Sequence, residues 1–168
     1  MGGDIDNRYA TAIKKGIMHE MTEGPLTGSN CQNIRVCIYD GKMHAVDSND
    51  ISFQLAASHA FRMAFNEAKP QLLEPFYHLE VLCEDNHTGD LMGDLQTRRA
   101  IIQGMDTDGH YQKIIAEVPL AELKDYGSSL RSLTQGKAKF KLEFSNYQLV
   151  PPHIQENLVI SNASLSEV

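Results

Sequence analysis

The stretch from Phe76 to Tyr147 constrains the fold more strongly than any other part of the chain. Apolar residues recur at every second position at its two ends, in "FYHLEVLC" and "KAKFKLEF", and two shorter apolar runs flank the turn "DTDGH". Such alternation is typical of strands with one buried face. Helical spacing follows Thr88 and follows Pro119, which stands at the predicted first turn of a helix ending at Gly136. The order β-α-β-β-α-β predicts a ferredoxin-like domain, a four-stranded antiparallel sheet with two helices on one face.

The part of the chain before Glu74 has a different pattern. Two long amphipathic helices are predicted, one near the start and one from about Asp50. Between them, apolar residues alternate over positions 34–38, which predicts a half-buried strand, and Asp40-Gly41 predicts a hairpin-type turn. Because two apolar helix faces need more sheet than this to cover them, we expect this half to be cut short.

These patterns together predict an α+β protein in three parts. A partial first domain spans residues 1–74, the ferredoxin-like domain spans 75–150, and a C-terminal tail spans 151–168. The tail is expected to contain a short helical stretch and a frayed polar end.

Composition narrows the class of protein and its partners. The hydrophobic fraction is 42% and the net charge is −7. Neither a run of about 20 apolar residues nor a charged-then-apolar leader is found, so we expect a cytoplasmic protein with no membrane partner. The negative charge argues against an overall electrostatic attraction to nucleic acid, so any RNA contact must come from local patches.

Catalytic and metal-binding patterns are not found in the sequence. Three cysteines form no C-x-x-C pair, and Gly136-Lys137 lacks the upstream glycine of a phosphate-binding loop. Asp90 and Asp94 are one helical turn apart, but acidic residues near a helix start more simply serve the helix dipole. Arg98-Arg99 is expected to be ordinary solvent-facing charge. The residues therefore predict no catalytic group, no metal and no cofactor within this chain.

The stretch "IYDGKMHAVDS" at positions 38–48 is a loop that carries a histidine and a lysine. His44 there is open to four interpretations: a catalytic group, a metal ligand, an RNA contact or no function. Metal ligation lacks partner ligands, and catalysis lacks a base–nucleophile set. What remains is a histidine displayed between a strand and a helix.

Several segments resemble, in order and spacing, the C-terminal part of bacterial elongation factor G, the translocation GTPase. The segments are "AIKKGIMHEMTEGPLTG", "IRVCIYDGKMHAVDSNDISFQLAASHAF", "LLEPFYHLEV", "GDLMGDLQTRRAIIQGM", "VPLAELKDYGSSLRSLTQGKAKFKLEF" and "NYQLVP". The resemblance implies a truncated ribosomal protein S5 domain 2-like domain (domain IV, first strands missing) followed by the ferredoxin-like domain V. It also implies that the GTPase domain lies outside this chain, so that GTP and Mg belong to the full-length protein.

The resemblance also implies the partners and the contact residues. The first domain would reach the small-subunit decoding region of the ribosome and contact tRNA and mRNA through a tip loop, and the second would bind ribosomal RNA near the large-subunit factor-binding centre. The tip-loop residues are Asp40, Gly41, Lys42, Met43, His44, Asp47 and Ser48. The ribosomal RNA contacts are Arg131, Ser132, Thr134, Gln135 and Lys137.

Two other interpretations stay open on the sequence alone. Departures from the family pattern at Thr97–Ala100 and Leu123-Lys124 allow a divergent paralogue that acts mainly in ribosome recycling or ribosomal protection. A protein of another class, a stand-alone ferredoxin-like module that binds a ligand or dimerises, is the second. Exposed apolar helix faces would also let the chain self-associate.

Overall fold

The computed structural model describes residues 5–44 and 46–165 of the protein, and it divides into two compact units. Unit 1 comprises residues 1–71 and 152–168, and unit 2 comprises residues 72–151. The helices of unit 1 are α1 (Ala10–Thr22), α2 (Asp50–Glu67) and α5 (Pro152–Leu165). Unit 2 contains β1 (Leu73–Glu84), α3 (Thr88–Thr97), β2 (Ile101–Asp108), β3 (Tyr111–Pro119), α4 (Tyr126–Thr134) and β4 (Lys139–Leu149).

Unit 2 has the predicted ferredoxin-like architecture. Its four strands form one sheet in the order β2-β3-β1-β4, and every neighbouring pair is antiparallel. In this register Leu79 of β1 lies opposite Ala116 of β3 and Leu142 of β4, so alternate residues of all three strands share one face. The prediction of an α+β protein with a βαββαβ unit is therefore confirmed.

The core of unit 2 lies between one face of this sheet and helices α3 and α4. Its ten residues are at most 2% exposed, and the helices contribute four of them: Leu91, Leu95, Tyr126 and Leu130. Each pair of core residues in the helices is spaced by four positions, so one helical stripe faces the sheet. The buried side chains of the strands and those of the two helices thus form a single apolar layer.

The helix predicted from Pro119 to Gly136 is interrupted. Residues Leu120–Leu123 form a 3-10 turn, and α4 begins only at Tyr126. Asp125 between them has a φ of 59°, a left-handed conformation that stops a helix. The end of α4 is as predicted, since Gly136 has a φ of 80° and no right-handed turn continues through it.

Helices α1 and α2 pack closely in unit 1. Gly16 makes this approach feasible, because a Cβ atom there would collide with the Gln54 carbonyl oxygen of α2. Ser58 donates a hydrogen bond to the Gly16 carbonyl at 3.1 Å, and the Arg62 guanidinium binds both carboxylate oxygens of the buried Glu20. Polar contacts therefore fix the two helices in one register.

Between these helices the sequence predicts a strand at positions 34–38 and a hairpin-type turn at Asp40-Gly41. Both predictions are wrong for the part of the chain that the structure describes. Residues 34–44 form no strand or helix, no described segment forms a strand ladder with them, and the backbone N–H groups of residues 34–39 have no partner among the described residues. Gly41 does not have the positive φ of a type I′ turn, and the turn occurs later, at Val46-Asp47. Alternating apolar residues favour a strand, but its backbone hydrogen bonds form only when another strand lies beside it.

Val36 and residues 38–42 form one wall of an apolar cavity in unit 1. The cavity has a volume of about 420 Å³, and α1 and α2 supply most of its remaining lining. Ile34, Val36 and Ile38 stay 37–40% exposed. The apolar side of this segment is therefore only half covered by the two helices.

The C-terminal part is more helical than predicted. Helix α5 has 14 residues, and the Gln155 side chain donates to the Pro70 carbonyl at 3.3 Å, which ties it to the end of the α2 region. None of the helices in residues 5–44 and 46–165 is long and apolar enough to cross a membrane.

Candidate functional site

The tip loop, residues 40–48, lies between the irregular segment 34–39 and α2. Two hydrogen bonds between His44 and Ser48 close it: the His44 N–H donates to Ser48 Oγ at 2.8 Å, and the Ser48 N–H donates to the His44 carbonyl at 3.2 Å. The His44 backbone is therefore held in place while its side chain remains exposed. This places His44 at the surface, as the sequence indicates.

Residues on both sides of the loop brace it. The Tyr9 hydroxyl donates to the Ser48 carbonyl at 2.9 Å, and the Tyr9 ring stacks on Phe53 of α2 at 4.3 Å. The Asn49 side chain caps α2 by accepting from the Ser52 N–H at 2.9 Å. The loop is thus anchored to a buried tyrosine, its stacked partner and a capped helix, which lowers the entropy that it must lose when it binds a ligand.

The first half of the tip loop is held by different contacts. The Gly41 N–H donates to Asp40 Oδ1 at 2.8 Å, and the Met43 sulfur accepts from the Asp6 N–H at 3.4 Å. Lys42 is exposed, and its ammonium has no partner among the described residues. Lys42 and His44 therefore stand on an anchored loop with side chains available to an external acceptor, whereas Asp40, Met43 and Ser48 mainly shape the loop.

The second predicted contact segment lies in unit 2, at the end of α4. Arg131, Ser132, Gln135 and Lys137 are exposed there. Arg131 Nε donates to the Gly127 carbonyl at 3.2 Å, and the Lys137 ammonium pairs with Glu84 at 3.1 Å, leaving other donors of both groups unused. Gln135 and Gly136 both have positive φ, so the chain turns sharply after α4.

Thr134 has a different role from the other four residues of that segment. Its side chain is 0% exposed, and its hydroxyl donates to the Leu130 carbonyl at 2.7 Å and accepts from the Ala138 N–H at 3.3 Å. The hydroxyl therefore bonds backbone groups at and just after the end of α4 from inside the core, and it cannot reach a phosphate. Its helical spacing of four from Leu130 is the sequence signal that places it on the buried stripe.

Arg98 is also not the solvent-facing charge that the sequence suggested. Only 15% of its side chain is exposed, and its guanidinium donates to Asp94 at 2.8 Å, to the Glu122 carbonyl at 2.7 Å and to Ser129 Oγ at 2.9 Å. It thereby joins α3 to the start of α4. The Asp94–Arg98 spacing of four is visible in the sequence, but the partners Glu122, in the turn before α4, and Ser129, on α4, are not.

Arg99 forms a second ion-pair cluster beside it. Its guanidinium pairs with Glu74 at 2.7 Å and with Glu122 at 2.8 Å. The hydrogen bond that Arg99 donates to Glu74 is the main cause of the raised pKa of Arg99, and Glu122 adds to it. The cluster links the start of β1 to the end of α3 and to the turn before α4, so it supports the segment that carries Arg131 and Lys137.

A metal site is not found in the part of the chain that the structure covers. No group of three or more His, Cys, Asp or Glu side chains converges among the described residues. The tip loop and the end of α4 instead present exposed hydrogen-bond donors, among them Lys42, Arg131 and Lys137, which suit phosphate and ribose groups.

Comparison with known proteins assigns both units. A family model described as "Elongation factor G, domain IV" matches residues 1–69, and one described as "Elongation factor G C-terminus" matches residues 71–158. An elongation factor G-like protein of Thermotoga maritima is 42% identical over 160 residues, and elongation factor G 2 of Anaeromyxobacter dehalogenans is 45% identical over 169 residues. These alignments cover 95% and 99% of this chain, but 23% and 24% of the relatives.

A solved structure agrees with these matches. A crystal structure of a protein from Thermus thermophilus superposes with a TM-score of 0.83 at 43% identity, covering 98% of this chain and 25% of that one. The two units in this order define part of a translation elongation factor. The chain belongs to the elongation factor G family, and it spans about a quarter of the length of the relatives that it matches.

Proposed function

We propose that this chain is the C-terminal ribosome-binding part of an elongation factor G-like GTPase that promotes GTP-dependent translocation of tRNA and mRNA. The observation that carries the proposal is the anchored tip loop, on which the His44 backbone is held by Ser48 while the Lys42 and His44 side chains are exposed. Such a loop can contact RNA through phosphate and 2′-hydroxyl groups, which are recognised by position rather than by base sequence.

His44 is the central residue of this contact. Its backbone N–H and carbonyl are both used by Ser48, so the loop fixes the point from which the exposed ring extends. A ring nitrogen can donate to a ribose or phosphate oxygen of the tRNA–mRNA duplex in the small-subunit decoding region. Lys42 adds one phosphate contact of the kind that gives affinity without sequence preference.

Unit 2 supplies the second contact of the proposal. The exposed Arg131, Ser132, Gln135 and Lys137 would bind ribosomal RNA near the factor-binding centre of the large subunit. The Arg98 and Arg99 clusters hold the helix that presents them, because they tie α4 and the turn before it to α3 and β1. GTP and Mg would be bound by the full-length protein, outside the two matched domains.

The experiment that tests the proposal is a His44→Ala substitution in the full-length protein. Translocation should slow while ribosome-stimulated GTP hydrolysis remains near that of the unsubstituted protein, because the tip acts on tRNA movement and not on the nucleotide. Lys42→Ala should have a smaller effect. Stopped-flow fluorescence of labelled tRNA measures the first rate, and phosphate release measures the second.

Two results would contradict the proposal. An unchanged translocation rate would show that the tip does not act on tRNA, and a loss of hydrolysis or of folding stability would give His44 a different role. The same variants in a ribosome-splitting assay separate translocation from recycling: a defect confined to splitting would favour a paralogue that acts in recycling.

A further inference from the structure

Arg8 lies beside the tip loop although it is more than thirty positions away in sequence. It belongs to a short 3-10 turn, Asn7–Tyr9, and this turn and its N-cap residue Asp6 each make one contact with the loop. The Asp6 N–H donates to the Met43 sulfur, and the Tyr9 hydroxyl donates to the Ser48 carbonyl. The turn and the loop therefore form one surface within unit 1, and residues on both sides of Arg8 in the chain make the connection.

The Arg8 guanidinium is oriented and still largely available. It lies over the Tyr9 ring at 4.7 Å from the ring centroid, and 67% of the Arg8 side chain is exposed. The buried Tyr9 ring is stacked on Phe53, so it provides a fixed platform for the guanidinium plane. Stacking of this kind restricts a long side chain before any ligand arrives.

The Asp6 carboxylate engages only part of this group. One carboxylate oxygen accepts from the Arg8 backbone N–H at 3.0 Å, and the other lies 3.5 Å from Arg8 Nε. The two terminal nitrogens of the guanidinium have no partner among the described residues. These nitrogens are the pair that binds a phosphate with two parallel hydrogen bonds.

Carboxylates outnumber permanent cations at this surface, so each fixed cation, including Arg8, matters more for RNA binding. In residues 5–9 and in the described part of 40–50, the permanent cations are Arg8 and Lys42, against four carboxylates: Asp6, Asp40, Asp47 and Asp50. An RNA backbone cannot bind such a surface through its overall charge, so binding depends on the few cations that are held in place. A stacked guanidinium with two unused donors suits this requirement better than a mobile ammonium.

We propose that Arg8 is a further RNA-contact residue of the tip and binds a backbone phosphate next to the groups contacted by Lys42 and His44. This inference rests on the proposed function. The guanidinium would donate two hydrogen bonds to one phosphate while its face remains on Tyr9.

The test measures binding of the whole chain to a short fluorescein-labelled RNA duplex by anisotropy at several salt concentrations. Arg8→Ala should weaken binding about tenfold, the loss of one charge-assisted contact. It should also reduce the slope of log affinity against log salt by about 1. Arg8→Lys should keep most of the slope and show an intermediate affinity, because the charge remains and the paired donors are lost.

Lys15→Ala is the matched control. Lys15 is exposed on α1 and has no partner among the described residues, and its substitution removes the same charge, so this variant should bind almost as the unsubstituted chain does. If Arg8→Ala binds like Lys15→Ala while His44→Ala is weakened, this inference is overturned and the proposed function stands. If the unsubstituted chain binds neither the duplex nor ribosomes, the proposed function fails and this inference fails with it. Circular dichroism of each variant verifies that the fold is retained.

Discussion

Replacing Arg99 tests whether the arginine pair stabilises unit 2. Arg99 contacts Glu74 of β1 and Glu122 of the turn before α4, and the Glu74 side chain is only 11% exposed. Arg99→Ala would leave both carboxylates without their common partner. The Glu74 charge would then be mostly buried and unpaired, which is the unfavourable case for an ion pair inside a protein.

The expected loss follows from burial. Removing one partner of a fully buried ion pair costs about 3–5 kcal/mol. Arg99 itself is 26% exposed, so water can reach part of the space that it leaves, and we expect the free energy of unfolding to fall by roughly 2–3 kcal/mol. Arg99 also has a φ of 57°, which costs a non-glycine residue on the order of 1 kcal/mol. Arg99→Gly should therefore be about 1 kcal/mol less destabilised than Arg99→Ala.

Urea unfolding followed by far-ultraviolet circular dichroism measures these differences, and hydrogen exchange of the β1 and α4 amides assigns them to unit 2. Lys124→Ala is the control, because Lys124 is an exposed cation two positions after Glu122 and its removal should change stability by less than about 0.5 kcal/mol. If Arg99→Ala unfolds like Lys124→Ala, the ion pairs do not stabilise the unit and the argument from burial is wrong.

Two further pairs of substitutions test other contacts. Thr134→Val should lower the free energy of unfolding by about 1–2 kcal/mol, because the Ala138 backbone N–H loses its acceptor. Gln135→Ala should leave stability unchanged and weaken ribosome binding. If Thr134→Val instead weakened ribosome binding without a loss of stability, Thr134 would be a contact residue after all. Gly16→Ala should destabilise unit 1 by about 1–3 kcal/mol, since its Cβ meets the Gln54 carbonyl. Gly93→Ala, with open space around it on α3, should be neutral or stabilising in the same urea unfolding assay, and equal effects at both glycines would refute the close packing.

The architecture of unit 2 could be predicted from sequence because its signals are local. The alternation around Leu79 and Leu142 and the four-residue spacing of Leu91 and Leu95 each report which side of an element is buried. The rules for short connections and covered helices then leave few sheet orders for the resulting elements. Where a local signal was ambiguous, as before α4, the helix was predicted too long because Asp125 in a left-handed conformation has no distinctive sequence pattern.

The prediction for the region between α1 and α2 failed for the complementary reason. The alternation of Ile34, Val36 and Ile38 describes a strand's side chains but not its hydrogen bonds, which must come from another segment. Tertiary structure also decided which polar residues are available. The sequence predicts that Thr134 and Arg98 are exposed, yet the Thr134 hydroxyl and the Arg98 guanidinium form hydrogen bonds within unit 2.

The sequence by itself determined the order of the elements in unit 2, the buried face of each of its strands and the display of His44 on a loop before a helix. These follow from apolar periodicity and turn residues, which act over a few positions. Only the tertiary structure decided that Tyr9 braces this loop and that Arg8 stands beside it, since residues far apart in sequence meet only when α1 and α2 pack. Side-chain availability is a property of that packing, and no local pattern records it.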